Sequence, residues 1–134
     1  MSTITANPVS KTSKSTLLTS WVVRLLLAAA FLAAGGAKIA GAPMMVQTFD
    51  GIGIGQWFRY LTGAIEVVSA VLLLLPSTRL LAAAALACTM VGAIVTHLAI
   101  IGGTPLPAGV LLVLTLVVMA LHRSDLDGLK ARLR

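Results

Sequence analysis

Four apolar stretches, at residues 17–40, 57–75, 79–101 and 105–122, take up most of this chain of 134 residues. A helix needs about 20 apolar residues to cross a bilayer. Inside lipid only a helix or a closed barrel satisfies its own backbone hydrogen bonds. Hydrophobic residues make up 58% of the chain and charged residues 10%, where a soluble domain carries roughly 25% charged. A soluble fold with so few charges would expose large apolar patches and aggregate. The expectation is an all-α membrane protein built as a bundle of four transmembrane helices.

The breaks between stretches agree with that division. The second run stops at Pro76-Ser77 and the third at Gly102-Gly103. The fourth opens at Pro105 and Pro107, where a missing N–H is harmless. Residues 1–16 are polar and rich in Ser and Thr, and read as a mobile tail. Residues 17–123 hold the four spans, and 124–134 form a basic second tail. The one long loop, 41–56, carries Met44, Met45, Val46 and Phe49. Those four suit a short helix on the membrane interface. Gly51, Gly53 and Gly55 lack the strand–turn–helix context of a dinucleotide fingerprint, so a bent re-entry into the second span is the plain reading.

Charge placement sets the orientation. Lys11, Lys14, Arg79, Arg123, Lys130, Arg132 and Arg134 fall on one side of the spans. Lys38 and Arg59 fall on the other, and the loop between spans three and four has no charge. The positive-inside rule then puts both termini in the cytoplasm. The net charge of +6 faces anionic headgroups at the chain ends. No surface combines basic and aromatic residues as nucleic-acid binding requires. The first run exceeds the 7–15 residues or so of a signal-peptide core, so it is read as a span.

Glu66 lies near the middle of the second run. A carboxylate there costs about 2.5–3.5 kcal/mol on insertion scales, which makes it a functional-site candidate. At a rise of about 1.5 Å per residue, Glu66 is roughly 13 Å from the outer surface. Lys38 and Arg59 sit near that surface, with His97 about one turn below it. Arg24 is about 7 Å in from the cytoplasmic side. Helical spacing puts Arg24, Ala28, Phe31, Gly35 and Lys38 on one face of the first span. It puts Arg59, Gly63, Glu66 and Ala70 on one face of the second.

Two readings follow for these residues. In one, Glu66 pairs with Arg24 or Lys38 only to lock helix register. In the other, Lys38, Arg59, Glu66 and His97 line a polar pocket open toward the outer half of the bundle. The default for His97 is a structural hydrogen bond. Haem would need a second histidine at depth, and His122 lies at the opposite face; no zinc spacing is present. The single Cys88 excludes an intrachain disulfide and a Cys-x-x-Cys pair. Trp21, Trp57 and Tyr60 suit interfacial anchoring. No cofactor is evident.

One order of residues stands out. It runs from Arg24 through Phe31, Gly35, Lys38, Phe49, Gly51, Arg59, Gly63 and Glu66 to the run Val71–Pro76 and His97. It resembles the DoxX and DoxX-like group of small four-span proteins, over about Trp21 to Arg123. The resemblance implies the four-span fold and a multi-pass place in the bacterial plasma (inner) membrane. It implies a membrane subunit or partner of a redox system, quinone-linked or linked to oxidative stress, with a membrane or peripheral oxidoreductase as partner. It carries Arg24, Lys38 and Glu66 over as site residues, with Arg59 and His97 beside them. Quinone is the candidate ligand. Alternatives are an assembly or chaperone-type binding protein, a small proton-linked transporter, or a lipid-substrate enzyme. Whether the chain is an enzyme, and whether it forms a homo-oligomer, are left open.

Overall fold

The computed structural model describes residues 13–134. The polar segment 1–12, with Lys11, lies outside the described residues. Six α-helices follow one another: α1 (Lys14–Ala40), α2 (Pro43–Ile52), α3 (Trp57–Leu72), α4 (Arg79–Thr96), α5 (Leu106–Leu121) and α6 (Asp125–Leu133). A π-helical turn, His97–Ile101, extends α4. Helices α1, α3, α4 and α5 form a closed ring of neighbours, α1 on α3, α3 on α4, α4 on α5 and α5 on α1.

The helix ends follow local chemistry. Ser13 caps α1, its Oγ accepting from the Thr16 N–H at 3.2 Å. At the other end Gly41 takes the left-handed conformation, with φ 74°. Its N–H donates to Lys38 and that of Ala42 to Ala37, a Schellman closure that reverses the chain into α2. Helix α3 ends three residues earlier than the apolar run. Pro76 disfavours helical backbone before it, and Leu74 and Leu75 tighten into i→i−3 bonds.

The core joins Leu27 and Phe31 of α1 to Ala70 and Leu73, Ala83 and Leu86 of α4, and Val118 of α5. The faces read from spacing are the ones buried: Arg24, Ala28, Phe31 and Gly35 on α1, and Arg59, Gly63, Glu66 and Ala70 on α3. Leu26, Val68, Leu81, Val95 and Val113 point outward and are exposed. This outer surface is apolar, as lipid contact requires. Two helical segments, Lys14–Ala40 and Arg79–Ile101, are long and apolar enough to cross a membrane. A third arises if α5 and α6, bent by 67° at their junction, form one broken span. Helices α3 and α5 have 16 residues each, about 24 Å at the helical rise and short of the ~30 Å hydrocarbon core.

The basic C-terminal tail is helical over Asp125–Leu133. Asp125 and Asp127 stand in its first turn and Lys130 and Arg132 in its last, complementing the helix dipole. Asp125 anchors it: its two carboxylate oxygens accept from Arg79 Nε at 2.7 Å and Nη2 at 3.1 Å. The Arg79 hydrogen bonds hold the Asp125 carboxyl below its ordinary value. Protonation is therefore harder in the folded than in the unfolded chain. The stabilisation is complete above the unfolded carboxyl value, about 4, and is lost as pH falls through the lower folded value. Both side chains are partly exposed, so the pair contributes about 1 kcal/mol or less. Hydrogen-exchange protection across α6, taken relative to the intrinsic rate at each pH, is expected to fall as the pH is taken below 4 or so, and Asp125→Asn to show the lower protection throughout.

Candidate functional site

The site grows out of a close helix contact. A Cβ added to Gly35 would lie 2.8 Å from the Gly63 carbonyl oxygen, and one added to Gly63 would lie 3.0 Å from the Gly35 carbonyl oxygen. Only glycine on both helices permits this approach. One turn beyond Gly35 stands Lys38, and three residues beyond Gly63 stands Glu66. The approach places them face to face: Lys38 Nζ donates to Glu66 Oε1 at 3.1 Å and to Oε2 at 2.9 Å. Glu66 is 2% exposed and Lys38 15%, so the pair is reached from the lysine side. Of the two partners open to Glu66, Lys38 is the one it meets.

Arg59 supports the pair without touching Glu66. Its Nη1 donates to the Lys38 carbonyl, at the C-terminus of α1, where a cation complements the helix dipole. Its Nε donates to Gln56 Oε1 at 2.6 Å. Gln56 Nε2 donates in turn to Asp50 Oδ1 at 2.6 Å and to the Val46 carbonyl at 3.1 Å. A polar relay therefore runs from α2 through Gln56 and Arg59 to the end of α1, where the Lys38 side chain takes it to Glu66. Helix α2 sits over this end of the bundle, anchored by buried Phe49, whose ring is 5.8 Å from that of Phe58. Gln56 and Asp50 carried no sequence signal, because a loop glutamine and aspartate are ordinary surface residues.

The remaining site residues lie elsewhere. His97 opens the π turn, and its Nδ1 is 3.0 Å from the carbonyl of Gly102. It closes its own turn and makes no hydrogen bond to Lys38, Arg59 or Glu66. Arg24 is at the opposite end of the bundle, with Nη1 3.5 Å from the Leu73 and Leu74 carbonyls. The structure thus joins Lys38, Arg59 and Glu66 and separates Arg24 and His97 from them. Among the described residues no group of His, Cys, Asp and Glu is placed to hold a metal ion.

Apolar helices facing outward around a core with a buried ion pair define a helical membrane protein. Residues 22–121 match the model of the DoxX-like family. The chain belongs to that family. Neither the curated proteins nor the solved structures yielded a match.

Proposed function

We propose that this chain is a small membrane subunit or partner of a redox system, quinone-linked or linked to oxidative stress, and that the Lys38–Glu66 pair is its polar site. The observation that carries the reading is a carboxylate 2% exposed, held by a lysine that keeps 15% exposure, inside an apolar bundle. Intramembrane charges are retained where they serve a ligand or a proton. In this reading α1, α3, α4 and α5 all span the bacterial inner membrane, with both termini in the cytoplasm by the positive-inside bias. The site then belongs to the outer half, under α2. A quinone carbonyl or an anionic group would accept from Lys38 Nζ, while Glu66 takes or returns a proton. The electrons belong to the partner oxidoreductase; this chain docks.

Glu66→Gln tests the proposal, since it removes the charge and keeps the shape. Wild type and variant are purified in mild detergent, and bound proteins and small molecules are identified by mass spectrometry. The expected result is a quinone or an oxidoreductase held by wild type and lost from the variant. Recovery of the same molecules from both proteins, or of none from wild type, defeats it.

A second reading rests on α4. Gly92 is exposed, and a Cβ placed there would meet nothing within 4 Å among the described residues. Cys88 and Val95 share that outward face. A smooth face of this kind admits another transmembrane helix, as an assembly protein or a homo-oligomer requires. Gly92→Leu is expected to abolish lateral association in that case and to leave Glu66-dependent binding untouched.

A further inference from the structure

The end of the bundle remote from Lys38 and Glu66 carries a second polar cluster that the proposed function does not use. Five segments build it: Ser20 and Arg24 on α1, the Leu73 and Leu74 carbonyls after α3, Arg79 opening α4, His122 closing α5, and Asp125 opening α6. Part of the cluster is satisfied. Ser20 Oγ is 2.9 Å from His122 Nε2, and His122 Nδ1 is 2.9 Å from the Val118 carbonyl. A carbonyl only accepts, so Nδ1 carries the proton in neutral His122, and Nε2 accepts from Ser20.

Arg24 is not satisfied. It is 2% exposed, yet its Nε has no hydrogen-bond partner among the described residues. Its two carbonyl contacts are both at 3.5 Å, the long limit of a hydrogen bond. A buried donor left unpaired costs about 1–3 kcal/mol, more when it is charged. The carboxylate of the cluster is Asp125, whose N–H donates to the His122 carbonyl at 2.9 Å, and Asp125 is engaged bidentately by Arg79. The cluster therefore holds two guanidiniums and one carboxylate, which pairs with Arg79 and forms no salt bridge with Arg24, so one positive charge is left uncompensated. The Arg24 guanidinium also lies 4.2 Å over the Trp21 ring. Trp21 is partly exposed on the outer face of α1, and an exposed tryptophan on a span marks headgroup depth.

We infer that this cluster binds a phosphate group, with Arg24 Nε–H and the Arg79 guanidinium as donors. Arginine forks match phosphate oxygens as they match carboxylates. Asp125 fills the Arg79 half of the site from within, so phosphate enters as α6 releases Arg79. The depth set by Trp21 makes the phosphate that of a lipid headgroup, and the uncompensated positive charge selects a net-anionic one over the zwitterionic phosphatidylcholine. Free phosphate is the other source with the same chemistry.

The test is thermal unfolding of the full-length protein in neutral detergent, with phosphatidylglycerol, phosphatidylcholine or inorganic phosphate added. Phosphatidylglycerol is expected to raise the melting temperature above the phosphatidylcholine value. Arg24→Gln and Arg79→Gln are each expected to weaken that preference about tenfold or more, the worth of one charged hydrogen bond. Asp125→Asn is expected to strengthen it. The double change Lys130→Gln and Arg132→Gln is expected to keep it, which separates the cluster from diffuse attraction to the basic tail. Stabilisation by inorganic phosphate that Arg79→Gln abolishes upholds the phosphate site and changes its source. Equal stabilisation by both lipids with none by inorganic phosphate, or a lipid preference unchanged in Arg79→Gln, overturns the inference and leaves Arg24 as a cap on α3. If Arg24→Gln does not fold, the opposite effects expected of Arg79→Gln and Asp125→Asn decide the matter.

Discussion

Lys38→Met is expected to destabilise the protein by about 3–5 kcal/mol, the cost of stranding one member of a buried ion pair. Glu66 accepts both of its side-chain hydrogen bonds from Lys38 Nζ and is almost wholly enclosed. Without the lysine it must stay charged in an apolar bundle or bind a proton. Adding Glu66→Leu to the same chain is expected to recover most of the loss, because the charge and its partner then leave together. Glu66→Leu alone is expected to cost less than Lys38→Met, since the Lys38 stem can carry its ammonium toward the surface. Reversible unfolding in detergent measures all three, and the coupling energy follows from the double-mutant cycle. A purely structural pair and a docking site differ in what the double variant does next. If it folds well and still retains its partners, the charges serve only packing.

Gly35→Ala and Gly36→Ala are expected to move stability in opposite directions. At Gly35 a methyl group would stand 2.8 Å from the Gly63 carbonyl oxygen and 2.9 Å from Val67 Cγ2. The first of these is backbone and cannot swing aside, so α1 and α3 must separate. Overpacking of this kind costs about 1–3 kcal/mol, and Gly35→Leu is expected to cost more. The same displacement would lengthen the Lys38–Glu66 contact, so partner binding is expected to fall with stability. At Gly36, one residue on, a Cβ meets nothing within 4 Å among the described residues. There Gly36→Ala gains about 0.5–1 kcal/mol of helix preference. Thermal unfolding of the two single variants checks the contrast, and equal shifts would refute the close-contact account.

Much of the fold was legible because lipid leaves so few options. The apolar runs became helices, Gly41 and Gly102 took the positive φ that turns a chain at a helix end, and the faces read from spacing were the buried ones. Lys38 and Glu66 could be matched as two charges on facing stripes. The choice between Lys38 and Arg24 as partner could not be made from spacing, because it depends on which turn of α1 meets which turn of α3. The Gly35–Gly63 contact decides it. His97 looked available at its predicted depth, but the π turn folds the chain back so that Gly102 meets its ring. The second cluster was hidden for a different reason. Ser20 and His122 are 102 positions apart and Arg79 and Asp125 are 46 apart, and no periodicity links residues across separate helices. Helix α6 was obscured by its own charges, which read as a tail until Arg79 supplied an anchor.

The two polar clusters are kept apart by a layer of side chains with no exposure: Leu27 and Phe31 on α1, Ala70 and Leu73 at and beyond the end of α3, Leu86 on α4 and Val118 on α5. From Glu66 to Leu73 is seven positions, about 10 Å along the axis. The hydroxyl of Thr115, buried in α5, is taken up by the Leu111 carbonyl at 2.7 Å. Electrically the bundle is a capacitor, with a polar plate at each end and an apolar dielectric between. Charge exchanged at one plate has no conductor to the other. In the proposed membrane placement the two ends would face opposite surfaces, and a proton exchanged at Glu66 would not reach the Arg24 end through this apolar layer.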